Sequence, residues 1–484
     1  MYFKVVFLKR NNLILISALA HLLAVMFSVG YHQCDELFQV FEFAGLKLGL
    51  NAPASLPWEY EYHMRSALPP LLVYSITSAA HAINLVDPFF IAMSLRFLVA
   101  ALSFAGFVRL LKLQSSDGEI KNDVNALWLV ALLFWPIPYF HVRLSAENLS
   151  ATLFVWSFVL NQEFGGVWKK YILPGVLMAL TFHIRFQMAF MILPFGLWLA
   201  IVHKEKLKSL LLLVAGFGIG FCLATAVDYW FYGQFTFSWW NYIYQNIFES
   251  KAEQFGVEPF YFYLRESAAH LIPPFSLLII LGIALFWWKK RWHVLTWITL
   301  PFVLIHFFVG HKEFRFLFPI MNFVPFILVV ARKELLDWKL MMRVLDKKWL
   351  IKLYIASNCV AMLIFCLSPA DSATRKMRQL YYLQESGTVN VLVNGESPYS
   401  QNLGLNYFHN SRVHCYNDTL LKVPACNWYY TEDFNKPDSL FERGTLYIRY
   451  FSSIPRKAAY FDFNGWMSRV PYFSIYKAEG TLTE

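Results

Sequence analysis

Charged side chains are scarce in this chain: Asp, Glu, Lys and Arg supply 15% of its 484 residues, well below the share that soluble domains carry. Of the six cysteines, Cys34, Cys222, Cys359 and Cys366 show no paired spacing of the kind that metal ligands take. A GxxxxGK phosphate loop is missing, which removes the support for nucleotide-powered transport. No internal repeat or low-complexity tract is present either, so the chain is not a repeat array. The net charge of +10 would suit nucleic acid. Its Lys and Arg residues, however, gather in short loops between apolar stretches and form no stripe on a soluble face. Nucleic acid is therefore not an expected partner.

What the chain does have is apolar mass. Hydrophobic residues make up 57% and aromatic residues 19% of it, with a mean hydropathy of +0.43. Apolar segments recur from residue 11 to residue 369, interrupted by short charged connections. This is the pattern of an all-α polytopic membrane protein embedded in a lipid bilayer. Basic groups at Lys4, Lys9 and Arg10, at Lys169-Lys170, at Lys204 to Lys208, at Lys289 to Arg291 and at Arg332 to Lys348 belong on the cytoplasmic side. The first apolar run is about as long as a membrane span and lacks a small-x-small cleavage site, so it reads as a retained helix.

Twelve apolar segments can be drawn, beginning at residue 11 and ending at residue 369. An inside start and an outside end require an odd number of crossings: eleven by this count, with thirteen the other number that parity allows. The segment at 67–86, which opens with Pro69-Pro70 and carries serines, fits a re-entrant piece. Residues 1–369 thus form the transmembrane domain, with outer loops at 31–66 and 228–268. Residues 370–484 turn polar, with strand-like runs at Val389–Val393, Leu446–Tyr450 and Tyr472–Tyr476, and read as a small extracytoplasmic α/β soluble domain. Cys415 and Cys426 fall within it, where a disulfide is permitted but not dictated.

Between the cytoplasmic loops lie turning points on the opposite face, and these carry the chemistry. Asp35 and Glu36 sit where the first helix gives out; Arg65, Arg143, Arg185, Lys312 and Arg315 stand at other membrane exits, with His63, His183 and His311 and many aromatics. Carboxylates suit deprotonation of a hydroxyl, cations suit a departing phosphate, and aromatics suit a sugar face. This is a parts list for glycosyl transfer from a polyprenyl phosphate sugar.

Asp35-Glu36-Leu37-Phe38-Gln39, then Trp58-Glu59-Tyr60 and Arg65-Ser66, resemble the first outer loop of the glycosyltransferase family 22 mannosyltransferases, with its D-E-x-F-Q, T-W-E-[FY] and R-S pieces. His311 to Ile320 is similar to that family's H-K-E-x-R-F-x-x-P-[IL] segment, and Asp228 to Gly233 and Asn241 to Asn246 to its D-x-x-F-Y-G and downstream Asn motifs. The pieces come in the family's order. Pro57 replaces the usual Thr, Phe314 stands where an acid is common, and Arg143 to Asn148 matches an R-T-L-S-N segment only loosely.

The resemblance implies a GT-C fold and an inverting α-mannosyltransferase. Its donor would be a polyprenyl or dolichyl phosphate mannose, its acceptor a glycan or glycolipid, and it would need no metal and no cofactor. It points to Asp35 as the base with Glu36 assisting. His311, Lys312, Arg315, Arg185 and Arg143 become candidates for the donor phosphate, and Trp58, Glu59, Arg65 and Gln39 for the acceptor. Glu313 is expected to pair with a neighbouring cation. The site would face the periplasm from a bacterial inner membrane, or the lumen from the endoplasmic reticulum. Two alternatives stay open: a transferase for another lipid-linked sugar, as in lipid A or cell-wall modification, and a lipid-linked glycan transporter. Against the transporter, the ionisable residues concentrate at span ends and not midway.

Overall fold

The computed structural model describes residues 9–163, 165–273, 275–336, 348–383, 387–399, 405–420, 422–455 and 472–481. The chain divides into two compact units: Met1–Leu48 with Pro57–Pro369, and Gly49–Leu56 with Ala370–Glu484.

The first unit is helical, and its helix ends follow local chemistry. Pro69 and Pro70 occupy the first turn of Leu68–Ala82, where their missing N–H groups cost nothing. Asp87 caps Pro88–Gln114 by accepting from the N–H groups of Phe89 and Phe90. The Ser145 hydroxyl accepts from Asn148 N–H at the start of Ala146–Gln162, and Gly233, at φ +72°, closes Leu207–Tyr232 in the left-handed conformation.

Among the described residues, three helices are long and apolar enough to cross a membrane unaided: Arg10–Phe27, Pro88–Gln114 and Leu207–Tyr232. A fourth span arises if Phe314–Asn322 and Val324–Leu335, bent by 76° at their junction, count as one. Four further apolar helices are shorter, at Phe186–Ile201, Phe275–Lys289, Val294–Phe308 and Lys352–Leu367. The expected eleven full-length crossings are therefore not met. Hydropathy sums through breaks that the backbone does not ignore. The apolar stretch at 125–142 is two helices, Val124–Leu132 and Pro136–His141, and the one at 171–183 runs from a π-helical turn, Trp168–Ile172, into Leu173–Ile184. The segment at 67–86, expected as re-entrant, holds one continuous helix. The sharp bend lies at residue 323 instead.

Buried Leu, Ile, Val and Phe side chains fill the interior, and one polar thread crosses it. His21 Nδ1 bonds the Ser17 carbonyl, His21 Nε2 bonds His141 Nδ1 at 3.0 Å, and His141 Nε2 bonds Asn322 Oδ1 at 2.9 Å. The thread ties the helix that leads to Asp35 to the 3₁₀ segment that carries Arg315.

The second unit is a helix, Ser372–Tyr381, with a six-stranded mixed sheet. Its strands are β1 (Val389–Asn394), β2 (Val413–Asn417), β3 (Trp428–Thr431), β4 (Ser439–Glu442), β5 (Thr445–Ser452) and β6 (Ser474–Thr481), in the order β2-β1-β3-β6-β5-β4. β1 pairs in parallel with β2 and β3, and the remaining pairs are antiparallel. Cys415 and Cys426 are free thiols. Cys415 lies on β2 and Cys426 precedes β3, and β1 runs between those two strands.

Leu173–Ile184 and Leu207–Tyr232 cross with backbones nearly touching. A Cβ on Gly216 would overlap the Ile172 carbonyl, and one on Gly220 would sit 2.6 Å from the Val176 carbonyl. Gly218, on the same helix, has open space. Gly216→Ala should therefore lower the melting temperature of purified protein, at a cost of about 1–3 kcal/mol, while Gly218→Ala should not. Equal melting of the two variants would contradict this packing.

Candidate active site

Directly after the first helix, the chain turns through Asp35 into a π-helical stretch, Glu36–Glu42. Such widened turns are rare and displace side chains from ordinary helical positions. Here the turn places Asp35, Glu36 and Gln39 on the wall of a cleft that encloses about 440 Å³ of space, including open solvent. The lining also includes Arg65, Ser66, Ser145, Arg185 and Arg315, from four separate parts of the sequence.

Arg315 is the hub. Its Nη2 lies 2.6 Å from Asp35 Oδ2 and 2.8 Å from Glu313 Oε1, its Nε 2.8 Å from Glu313 Oε2, and its Nη1 3.2 Å from Glu147 Oε1. Arg185 Nη1 reaches the same Glu147 oxygen at 2.9 Å. Both guanidinium groups also lie over the ring of Phe316, at 4.8 Å for Arg185 and 5.5 Å for Arg315. Each nitrogen of Arg315 contacts a carboxylate oxygen, and Arg185 is less fully engaged. Its Nε and Nη2 have no hydrogen-bond partner among the described residues although the side chain is buried, and neither does Arg65 Nε.

Burial pushes the Asp35 carboxyl up, but Arg315 and Arg65 outweigh it and hold the group below its ordinary value. Burial wins at Glu36, whose carboxyl is raised to about 7 despite Arg143 and a hydrogen bond from the His32 N–H. At Glu313, burial is overcome by hydrogen bonds from His311 and Arg315, which bring the carboxyl down to about 2. The pair at 35 and 36 thus consists of one firm carboxylate and one that titrates near neutrality.

Segment 62–67, which carries Arg65 and Ser66, is fastened from behind. Asp228 accepts from the Ala67 N–H at 2.8 Å and from the Ser238 hydroxyl at 2.6 Å. The Tyr232 hydroxyl donates to the Arg65 carbonyl at 2.6 Å, and Asn241 Nδ2 donates to the Tyr62 carbonyl at 3.0 Å. The D-x-x-F-Y-G and Asn motifs therefore act as a clamp on the backbone under Arg65. Glu59 stands behind the cleft wall, accepting from Gln39 at 3.0 Å and pairing with Arg65 at 3.3 Å.

Besides Glu59, four of the candidate residues are not brought to the cleft. Arg143 is buried with its donors spent on the carbonyls of Ser28, Gly30 and Tyr139, so it closes a turn and does not offer itself to a phosphate. Lys312 Nζ donates to the carbonyls of Glu258 and Val309, and His311 bridges the Gly256 carbonyl and Glu313. Trp58 stacks on Phe255 and meets Tyr62 edge-on. Each of them shapes a loop outside the cleft lining.

The model of the Alg9-like mannosyltransferase family fits residues 12–397. The chain belongs to that family. It is 27% identical over 327 residues to GPI mannosyltransferase 3 of Yarrowia lipolytica, covering 66% of this chain and 61% of that one. To GPI alpha-1,2-mannosyltransferase 3 of Homo sapiens it is 24% identical, covering 59% and 51%. To the Alpha-1,2-mannosyltransferase ALG9 of Saccharomyces cerevisiae it is 25% identical, covering 75% and 66%. The chain spans about three fifths of the length of the first of these relatives. The structure of arabinofuranosyltransferase AftD from Mycobacteria aligns at a TM-score of 0.47 and 14% identity, over 98% of this chain and 40% of that one. At that distance it carries no argument.

In this Alg9-like family member, sequence reasoning passed over Glu147, the carboxylate that joins Arg185 to Arg315. Its signal was an acid placed beside Ser145 in a stretch that departs from the family pattern. Glu36 offers a separate test. Because its carboxyl is raised to about 7 in the folded protein, its protonation stabilises the fold fully below the unfolded value. That contribution is lost as pH rises through about 7. The melting temperature should accordingly fall between about pH 5 and pH 8, and Glu36→Gln, neutral throughout, should flatten that fall. A Gln variant that keeps the full slope would place the titration elsewhere.

Proposed function

We propose that this chain is a membrane mannosyltransferase that moves mannose from a polyprenyl or dolichyl phosphate donor onto a glycan or glycolipid hydroxyl, with inversion, to give an α-mannoside. One observation carries this reading: a single cleft is lined by the Asp35–Glu36 carboxylates together with Arg185 and Arg65, and the buried Nε and Nη2 of Arg185 and Nε of Arg65 have no hydrogen-bond partner among the described residues. An acid sharing a cleft with unspent cations suits a reaction that takes a proton from one substrate and releases a phosphate from the other.

In the proposed step, Asp35 accepts the proton of the acceptor hydroxyl, whose oxygen attacks the anomeric carbon of mannose. The bond from that carbon to the phosphate oxygen breaks on the opposite face, and polyprenyl phosphate leaves with the electron pair. Arg315 takes Asp35 Oδ2, leaving Oδ1 for the hydroxyl. Glu36 holds the acceptor, and Arg185 with Arg65 receives the charge on the leaving phosphate. The α-1,2 linkage is the one named for the human and yeast relatives, and we extend it to this chain. On this reading the cleft faces the lumen or periplasm, since the basic loops belong on the cytoplasmic side.

Purified protein supplied with polyprenyl phosphate mannose and a panel of mannosylated glycolipids should yield an α-1,2-mannosylated product. Asp35→Asn should lower kcat by about 100-fold or more in protein that still folds. A folded Asp35→Asn protein with full activity would remove Asp35 as base. Transfer of another lipid-linked sugar in preference to mannose would refute the donor.

A further inference from the structure

We infer that Glu147 is a positioning residue, setting the spacing between the guanidinium that holds Asp35 and the guanidinium offered to the donor phosphate. The inference deepens the mannosyl-transfer reading and rests on it.

Glu147 lies in the first turn of Ala146–Gln162 and is fully buried. Helix capping does not explain it, because the Ser145 hydroxyl already caps that helix. Charge balance for a single arginine does not explain it either. Oε1 lies 2.9 Å from Arg185 and 3.2 Å from Arg315 as ion pairs, and neither carboxylate oxygen has an aligned hydrogen bond among the described residues. Burying a carboxylate held by ion pairs without aligned hydrogen bonds is costly, and the arrangement does one thing well. It holds two like-charged groups against the same Phe316 ring. Without it, the guanidinium groups would repel and part, and the ion chain from Asp35 through Arg315 and Glu147 to Arg185 would break. That chain runs from the proposed base to the proposed phosphate anchor, so its geometry sets the alignment of hydroxyl, anomeric carbon and leaving oxygen.

Glu147→Gln removes the charge and keeps the shape. Positioning predicts that the KM for the lipid phosphate donor rises about tenfold or more and that inhibition by polyprenyl monophosphate weakens in parallel, while the acceptor KM stays within about twofold. Charge balance alone predicts the reverse: with one negative charge gone, the Gln variant would bind polyprenyl monophosphate more tightly than wild type, and that outcome would overturn the inference. Unchanged donor KM and inhibition would also overturn it. Glu147→Asp keeps the charge but is one methylene shorter. Positioning predicts an impaired donor KM for it, and wild-type behaviour would count against positioning. It decides the matter if the Gln variant does not fold. Should wild type transfer no mannose, the functional reading fails, whereas the polyprenyl monophosphate comparison between wild type and variants still tests Glu147.

Discussion

One buried guanidinium governs this site. Arg315 contacts Asp35, Glu313 and Glu147 at once, and it helps to hold all three carboxylates ionised. Three acids on one cation leave a net negative cluster, which Arg185 and Arg65 then offset. The resulting network is dense in charge yet uneven in its commitments. Every nitrogen of Arg315 contacts a carboxylate, while two nitrogens of Arg185 have no hydrogen-bond partner among the described residues. That unevenness separates a scaffold from a binding group, and residue type alone does not reveal it.

The surrounding fold is built to hold this cluster at the end of its helices. A π-helical turn moves Asp35 and Glu36 onto the cleft wall, and the 3₁₀ segment Phe314–Asn322 brings Arg315 to meet them. The His21–His141–Asn322 thread links the two elements through the apolar interior. Asp228, Tyr232 and Asn241 pin the backbone of Arg65 from a third direction. Irregular backbone is concentrated where the charges meet, and in an apolar surround it is tolerated only because protein groups satisfy its hydrogen bonds.

The helical, membrane-spanning character was legible from composition, as was a sheet-bearing C-terminal unit with runs at β1, β5 and β6. The strands β2, β3 and β4 were not, because four- and five-residue strands leave too little alternation to stand out. Span counting failed for a related reason. A hydropathy window averages over Pro136 and over the bend at residue 323, where the helices end.

For the site, the residue types determined a great deal by themselves. An acidic pair at a helix exit and arginines at other exits are chemistry that apolar surroundings do not tolerate idly, so Asp35, Glu36, Arg65, Arg185 and Arg315 were singled out before any contact was known. Only the tertiary structure decided which cations are free. Arg143 and Lys312 look equivalent to Arg185 in sequence, but backbone carbonyls consume their donors. Glu147 looks like an ordinary first-turn acid until Arg185 and Arg315 converge on it. A side chain's charge is local to its residue, whereas the number of its hydrogen-bonding atoms left for a ligand depends on neighbours from distant parts of the chain, and only folding supplies those.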